Sequence, residues 1–192
     1  QEVMRILAAL SDSVTLQVDH IAIALDALAE FDFILAKARY SKKLDAWAPL
    51  LQGESYLDIK KGRHPLLKGN AVPVDLRIGE DFDTLVITGP NTGGKTVSLK
   101  TAGLLVLMAQ SGLHIPAGEG SRLGIFKQVF VDIGDEQSIE QSLSTFSSHL
   151  INIIDIVRSA GRDSLVIIDE LGAGTDPTEG AALAQSILEQ IG

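Results

Sequence analysis

Eight consecutive residues constrain this chain more than any others. Gly89-Pro90-Asn91-Thr92-Gly93-Gly94-Lys95-Thr96 sets a glycine, four residues and then Gly-Lys-Thr, the spacing of a P-loop. An apolar, β-rich run, Leu85-Val86-Ile87, precedes it, and a pattern predicting a helix from about Thr96 to Ser111 follows. Glycines let backbone N–H groups converge on phosphate oxygens without a Cβ in the way. Lys95 supplies a point charge for the β- and γ-phosphates, and the Thr96 hydroxyl can ligate Mg²⁺. The positive end of the following helix, with Val97 in its first turn, adds to the same cradle. A chance glycine-rich turn would lack the flanking strand and helix.

A second element fits the first. Leu165-Val166-Ile167-Ile168-Asp169-Glu170 reads as a buried strand ending in two carboxylates. Asp169 is placed to hold Mg²⁺, as a Walker B aspartate does. Glu170 is the candidate base that positions the attacking water. The plainer reading, a strand ending in solvated acids, loses force beside a P-loop. The pair predicts ATP hydrolysis.

The elements around these motifs alternate. Short strands are expected at Tyr56–Ile59, Val72–Ile78 and Thr84–Thr88. After the helix at 96–111 come a strand at Gln128–Asp132, a helix at about Thr145–Ser159, the strand Ser164–Ile168 and a helix from Thr178. Such alternation predicts an α/β fold with a mostly parallel sheet flanked by helices, and ligands bind at the carboxyl edge of such sheets. Ahead of it, residues from about 14 to 46 read as one long helix. Ile21, Ala24, Leu28, Phe31, Leu35 and Ala38 step along one stripe, and Pro49 closes the run. The expected domains are a helical lever or connector at 1–52 and a P-loop ATPase domain at 53–192. A core helix of the same domain is the other reading of the long helix.

Charge narrows the partners. The net charge is −9. Residues 1–83 hold 10 basic and 13 acidic residues, or −3, and residues 84–192 hold 6 and 12, or −6. A surface that neutralises many DNA phosphates needs clustered Lys and Arg, so DNA contacts are expected mostly outside this sequence. Hydrophobic residues at 45% and charged residues at 21% are ordinary for a globular domain. Cysteine is absent, which removes disulfide and thiolate chemistry and suits a cytoplasmic setting. No apolar run is long enough to span a membrane. Gln1 is not a start methionine, and the chain reads as a piece of a longer protein.

At this point the motifs resemble a known family. Thr88 with the P-loop, Ser144-Thr145-Phe146 before a helix, and Asp169-Glu170-Leu171-Gly172-Ala173-Gly174-Thr175 are similar to the ATPase domain of MutS proteins. Gly62-Arg63-His64-Pro65 resembles the segment that opens that domain, and the long helix resembles its lever arm. Thr92 and Thr96 stand where mismatch-recognising members usually carry Met and Ser. The run from Asp132 to His149, with Gly174-Thr175-Asp176-Pro177, is similar to the second bacterial branch. That branch typically ends in an Smr nuclease domain. It is associated with suppressing homologous recombination and rescuing collided ribosomes.

The resemblance implies an ABC-type ATPase in which two domains sandwich two nucleotides, so the expected partner is a second copy. Ser144 and Thr145 would face the γ-phosphate bound by the other subunit. The residues alone also allow an ordinary helix cap there. Asp135–Gln137 would sense Mg²⁺ and water, and Gly172–Asp176 would cross to the partner. The family suggests that Ala71–Val74 packs on the adenine, with Val72 the best single candidate. An apolar strand residue there is equally readable as plain core. The four histidines form no metal cluster; His64 and His149 suggest hydrogen-bonded positioning. Family ATPases use a histidine switch on a later strand, and none follows Glu170, which predicts slow hydrolysis. Two other readings compete: a generic ABC-type repair ATPase of the SMC kind, whose Leu-Ser-Gly-Gly signature is missing here, and a nucleotide-gated dimerisation scaffold with little turnover.

Overall fold

The structure, a computed structural model, describes the chain except residues 54, 68, 70, 91, 92 and 135–141, and at 142–148 it describes the backbone alone. It divides into two compact units, residues 1–43 and 44–192.

The first unit is helical. Helix α1 spans Glu2–Thr15 and α2 begins at Val18 and runs to Leu44. The single helix expected from 14 to 46 is thus shorter at both ends, and a further helix precedes it. Its start is set by a tight turn at Leu16-Gln17, where the Gln17 N–H reaches the Val14 carbonyl at 2.9 Å. The Ser13 and Thr15 hydroxyls donate to the carbonyls four residues back, at 2.9 Å each. Such back-bonding competes with the helix ladder and helps to end it. Neither helix buries a residue, and Ile21, Leu28 and Phe31 of the expected stripe are exposed. Among the described residues no helix is long and apolar enough to cross a membrane.

The second unit is α/β, but its sheet is mixed rather than mostly parallel. Strands β1 (Leu50–Gln52), β2 (Leu57–Gly62), β3 (Val74–Ile78) and β4 (Arg122–Gly124) form a four-stranded sheet in the order β1-β4-β2-β3. Only β1 and β4 run parallel in it; β2 is antiparallel to both neighbours. The cause is connection length. Among the described residues no helix separates β2 from β3, and parallel neighbours need a crossover of a dozen or more residues. Where a crossover exists, the pair is parallel: β5 (Gln128–Asp132) joins β6 (Ser164–Ile168) through α4 (Ser142–Ser159). The strand expected at Thr84–Thr88 forms no ladder with any described strand, and Leu85 and Val86 are exposed.

Helix α3 (Lys95–Gln110) lies against β2 of the first sheet and β6 of the second. Its inward residues Thr101, Leu105, Val106, Met108 and Ala109 are buried, spaced to fill one face at three- and four-residue steps. Ile59 of β2, Leu105 and Leu123 of β4 are wholly enclosed. Burying each such side chain favours folding by about 1.5–3 kcal/mol. Helix α5 (Pro177–Ile191) packs on α4.

Candidate functional site

The site lies where the start of α3 meets the carboxyl ends of β5 and β6. Gly94 makes the turn from loop to helix in the left-handed region, at φ 78°, which glycine adopts without the Cβ clash other residues meet. The loop tightens ahead of it, the Gly93 N–H donating to the Pro90 carbonyl at 2.9 Å. Lys95 opens α3, and its Nζ donates to the Gly89 carbonyl at 2.6 Å, so the ammonium closes the loop end to end. Val97 is exposed on the first turn. Asn91 and Thr92 lie outside the described residues.

One hydrogen bond ties the two motifs together. The Thr96 hydroxyl donates to Asp169 Oδ2 at 2.5 Å across 73 positions of sequence. Asp169 is half-buried just past the end of β6, and its other oxygen accepts the Glu170 N–H at 3.1 Å. Glu170 is exposed and has φ 56°. A non-glycine residue there costs on the order of 1 kcal/mol or more, and such strain concentrates at functional sites. The turn continues with the Ala173 N–H on the Glu170 carbonyl at 2.9 Å. Asp176 then caps α5, its carboxylate accepting from the Thr178 N–H at 2.9 Å.

The neighbouring strand end is organised differently. Asp132 at the end of β5 is buried, only 6% exposed. Its carboxylate accepts from Asn152 Nδ2 at 2.7 Å and meets His149 Nδ1 at 2.9 Å. Its carbonyl accepts the Asp169 N–H at 2.9 Å. Asp132, Gly134, His149, Asp169, Glu170 and Gly172 all line one hollow. Asp132 and Asn152 carried no assigned role in the sequence. The signal was available in the aspartate that ends a buried strand, but its partners lie in a helix beyond it. His149 has the hydrogen-bonded setting expected of it. His64 makes a local turn, accepting the Leu66 N–H at 3.3 Å.

Two expectations change, and one falls on residues that are not described. Helix α4 begins at Ser142, so Ser144 and Thr145 sit inside its first turn rather than capping it. Val72 is 87% exposed and precedes β3, which starts only at Val74; Pro73, which has no N–H for a ladder, stands between them. It is therefore not a core residue. The Asp135–Gln137 loop lies outside the described residues.

A hydroxyl and a carboxylate held this close make a pair of hard oxygen donors, the set that suits Mg²⁺ with further oxygens from water and phosphate. Among the described residues no cluster of three or more metal-ligating His, Cys, Asp or Glu side chains competes with it.

Known proteins are similar to this chain in sequence. Residues 85–192 match the family model described as MutS domain V. The whole chain is 74% identical over 191 residues to a protein of Pelotomaculum thermopropionicum named Endonuclease MutS2, of which it covers 24%. Identity is 64% to the protein of that name from Symbiobacterium thermophilum and 60% to that from Halalkalibacterium halodurans, again over the whole chain and 24% of each relative. The chain thus spans about a quarter of the length of these relatives.

Proposed function

This chain belongs to the MutS family, whose domain V it carries, and on that premise we propose that it binds ATP with Mg²⁺ and hydrolyses it. The observation that carries the reading is the Thr96–Asp169 hydrogen bond at 2.5 Å. It brings the P-loop helix and the acidic strand end to one point, where a triphosphate and its cation need them.

Each residue then has a task. The loop amides from Gly89 to Gly94 wrap the phosphates, and Lys95 turns its ammonium from the Gly89 carbonyl to the β- and γ-phosphates. Thr96 and Asp169 hold Mg²⁺, which when bound neutralises charge on the phosphate oxygens. Glu170, on the exposed turn beyond Asp169, orients a water for in-line attack and accepts its proton. Val72, exposed ahead of β3 and free of core packing, offers an apolar surface to the adenine ring. In a dimer sandwich, the first turn of α4 presents Ser144 and Thr145 to the γ-phosphate of the other copy.

In the longer cytoplasmic protein, such a cycle would drive DNA-handling modules, with helices α1 and α2 as the connecting segment. The relatives are named endonucleases, and in this reading the nuclease step of the longer protein lies outside this region. The scaffold reading differs in one respect, binding without turnover.

The test is ATP affinity, turnover and solution mass, with Mg²⁺, for wild type, Lys95→Ala and Glu170→Gln. Loss of the lysine charge should weaken ATP binding by at least about 100-fold, since charge-assisted bonds to phosphate are worth about 1.5–3 kcal/mol each. Glu170→Gln should bind ATP within a few fold of wild type, hydrolyse it about 10²–10⁴ times more slowly, and accumulate as an ATP-bound dimer. Tight binding without wild-type turnover would favour the scaffold. Wild-type turnover that survives in Glu170→Gln would remove Glu170 from its role.

A further inference from the structure

The clamp around Asp132 reaches both sides of the site. His149 and Asn152 lie three residues apart on α4, so they share one face of that helix. Both engage the Asp132 carboxylate, one on each oxygen, at 2.9 and 2.7 Å. An ionised carboxylate only accepts, so the tautomer that fits this contact is the one with N–H at His149 Nδ1. The same Asp132 binds, through its carbonyl, the amide of Asp169 at 2.9 Å, and it pairs in register with Ile168, the last residue of β6. A continuous path therefore runs from α4 through Asp132 to the Asp169-Glu170 peptide.

Gly134 marks how tightly this path is packed. A Cβ there would stand 2.4 Å from His149 Nε2 and 2.5 Å from Cε1, closer than any real carbon approaches. The Nε2–Cε1 edge of the ring therefore abuts the backbone that leaves β5. Its orientation is fixed at Nδ1 by Asp132 and on the far edge by Gly134.

We propose that His149 is a positioning residue that locks α4 to the strand end carrying Asp169 and Glu170. This rests on the ATPase reading above. The helix whose first turn bears Ser144 and Thr145 is pinned, through one imidazole and one amide, to the peptide that carries the hydrolytic carboxylate. Engagement of a phosphate at α4 is then felt at Glu170 without direct contact between them. Removing the imidazole leaves nucleotide binding at Lys95 and Thr96 intact but lets Glu170 lose its alignment. Groups that orient catalytic side chains in this way typically carry about 10–100-fold of activity.

The experiment uses the full-length protein in two arms. The first arm measures amide hydrogen exchange, without nucleotide, in wild type, His149→Ala and His149→Asn. The Asp169 amide and the α4 backbone should exchange faster in His149→Ala. They should recover in His149→Asn, whose side-chain amide can donate to Asp132 as Nδ1–H does. The second arm measures steady-state ATP turnover. Here kcat should fall about 10–100-fold in His149→Ala with KM within about twofold, and His149→Asn should restore most of it. Unchanged exchange at Asp169 in His149→Ala overturns the clamp, whether or not the protein hydrolyses ATP. So does a parallel change in kcat and KM, or a kcat that does not move. A wild type without turnover overturns the ATPase reading instead, and exchange alone then decides the clamp.

Discussion

Two adjacent parallel strands bring the same residue type to their carboxyl ends in opposite surroundings. β5 ends on Asp132 and β6 is followed at once by Asp169. Asp132 is buried, with His149 and Asn152 on its two oxygens. Asp169 is half-buried and is met by a hydroxyl and by a neighbouring backbone amide. A carboxylate offers about four lone-pair sites. Those of Asp132 are directed at side chains that fasten a helix, whereas those of Asp169 face the hydroxyl at the start of α3 and an exposed turn. Position at a strand end therefore does not assign a role. The partners decide it.

The largest expected effect comes from Asp169→Asn. The new side chain can still accept the Thr96 hydroxyl, so the local fold should survive, with Tm within about 2 °C of wild type. What disappears is the negative charge. A charge that helps to hold a catalytic cation is worth several kcal/mol, or about 10³-fold in turnover. A turnover assay beside a thermal melt checks both halves. Near-normal hydrolysis in a folded Asp169→Asn variant would break the contrast between the two aspartates.

Asp132→Ala should do the reverse, acting first on stability. It leaves the His149 and Asn152 donors without their acceptor beside a buried strand end. Each unsatisfied buried donor costs about 1–3 kcal/mol, and Asn152, on the exposed side of α4, can recover part of that from water. A loss of about 1–3 kcal/mol corresponds to a Tm lower by several degrees for a unit of this size. Denaturant unfolding of Asp132→Ala against Asp169→Asn sharpens the comparison. Equal stability losses would mean that burial at β5 carries no special weight.

What could be read beforehand followed sequence distance. The Gly89–Thr96 run and the Asp169-Glu170 strand end could be picked out because each is local in sequence, and the Thr96 hydroxyl joins them at Asp169. β5 and β6 match their expected ranges residue for residue, since each is a bounded apolar run. The mixed sheet was not legible. Its β1 and β4 are three residues each, too short for an alternating pattern, and the antiparallel sense of β2 depends on the missing crossover before β3. The Asp132 clamp was hidden for a different reason. His149 and Asn152 lie 17 and 20 residues away, and nothing in their spacing to an aspartate signals contact. The break at Leu16-Gln17 depends on side-chain hydroxyls bonding backwards, which a stripe of apolar residues does not report.

A third aspartate separates structure from assembly at the smallest scale. Asp176 is exposed and begins α5, its Oδ1 accepting from the Thr178 and Glu179 amides at 2.9 and 3.4 Å, with Pro177 at the first helical position. These are the donors that a helix N-terminus otherwise leaves without partners. Asp176→Ala should cost about 1 kcal/mol, and Asp176→Asn nearly nothing, because asparagine caps about as well. Thermal melts of the two variants isolate that term. The same pair then probes the turn from Gly172 to Asp176 that the proposed sandwich sends to a second copy. If Asp176→Asn melts like wild type yet weakens ATP-dependent dimerisation, the charge serves the other subunit. If both variants dimerise in proportion to their stability, Asp176 is a cap alone. The three aspartates would then divide cleanly into one for the nucleotide, one for the helix that reads it, and one for the helix that follows.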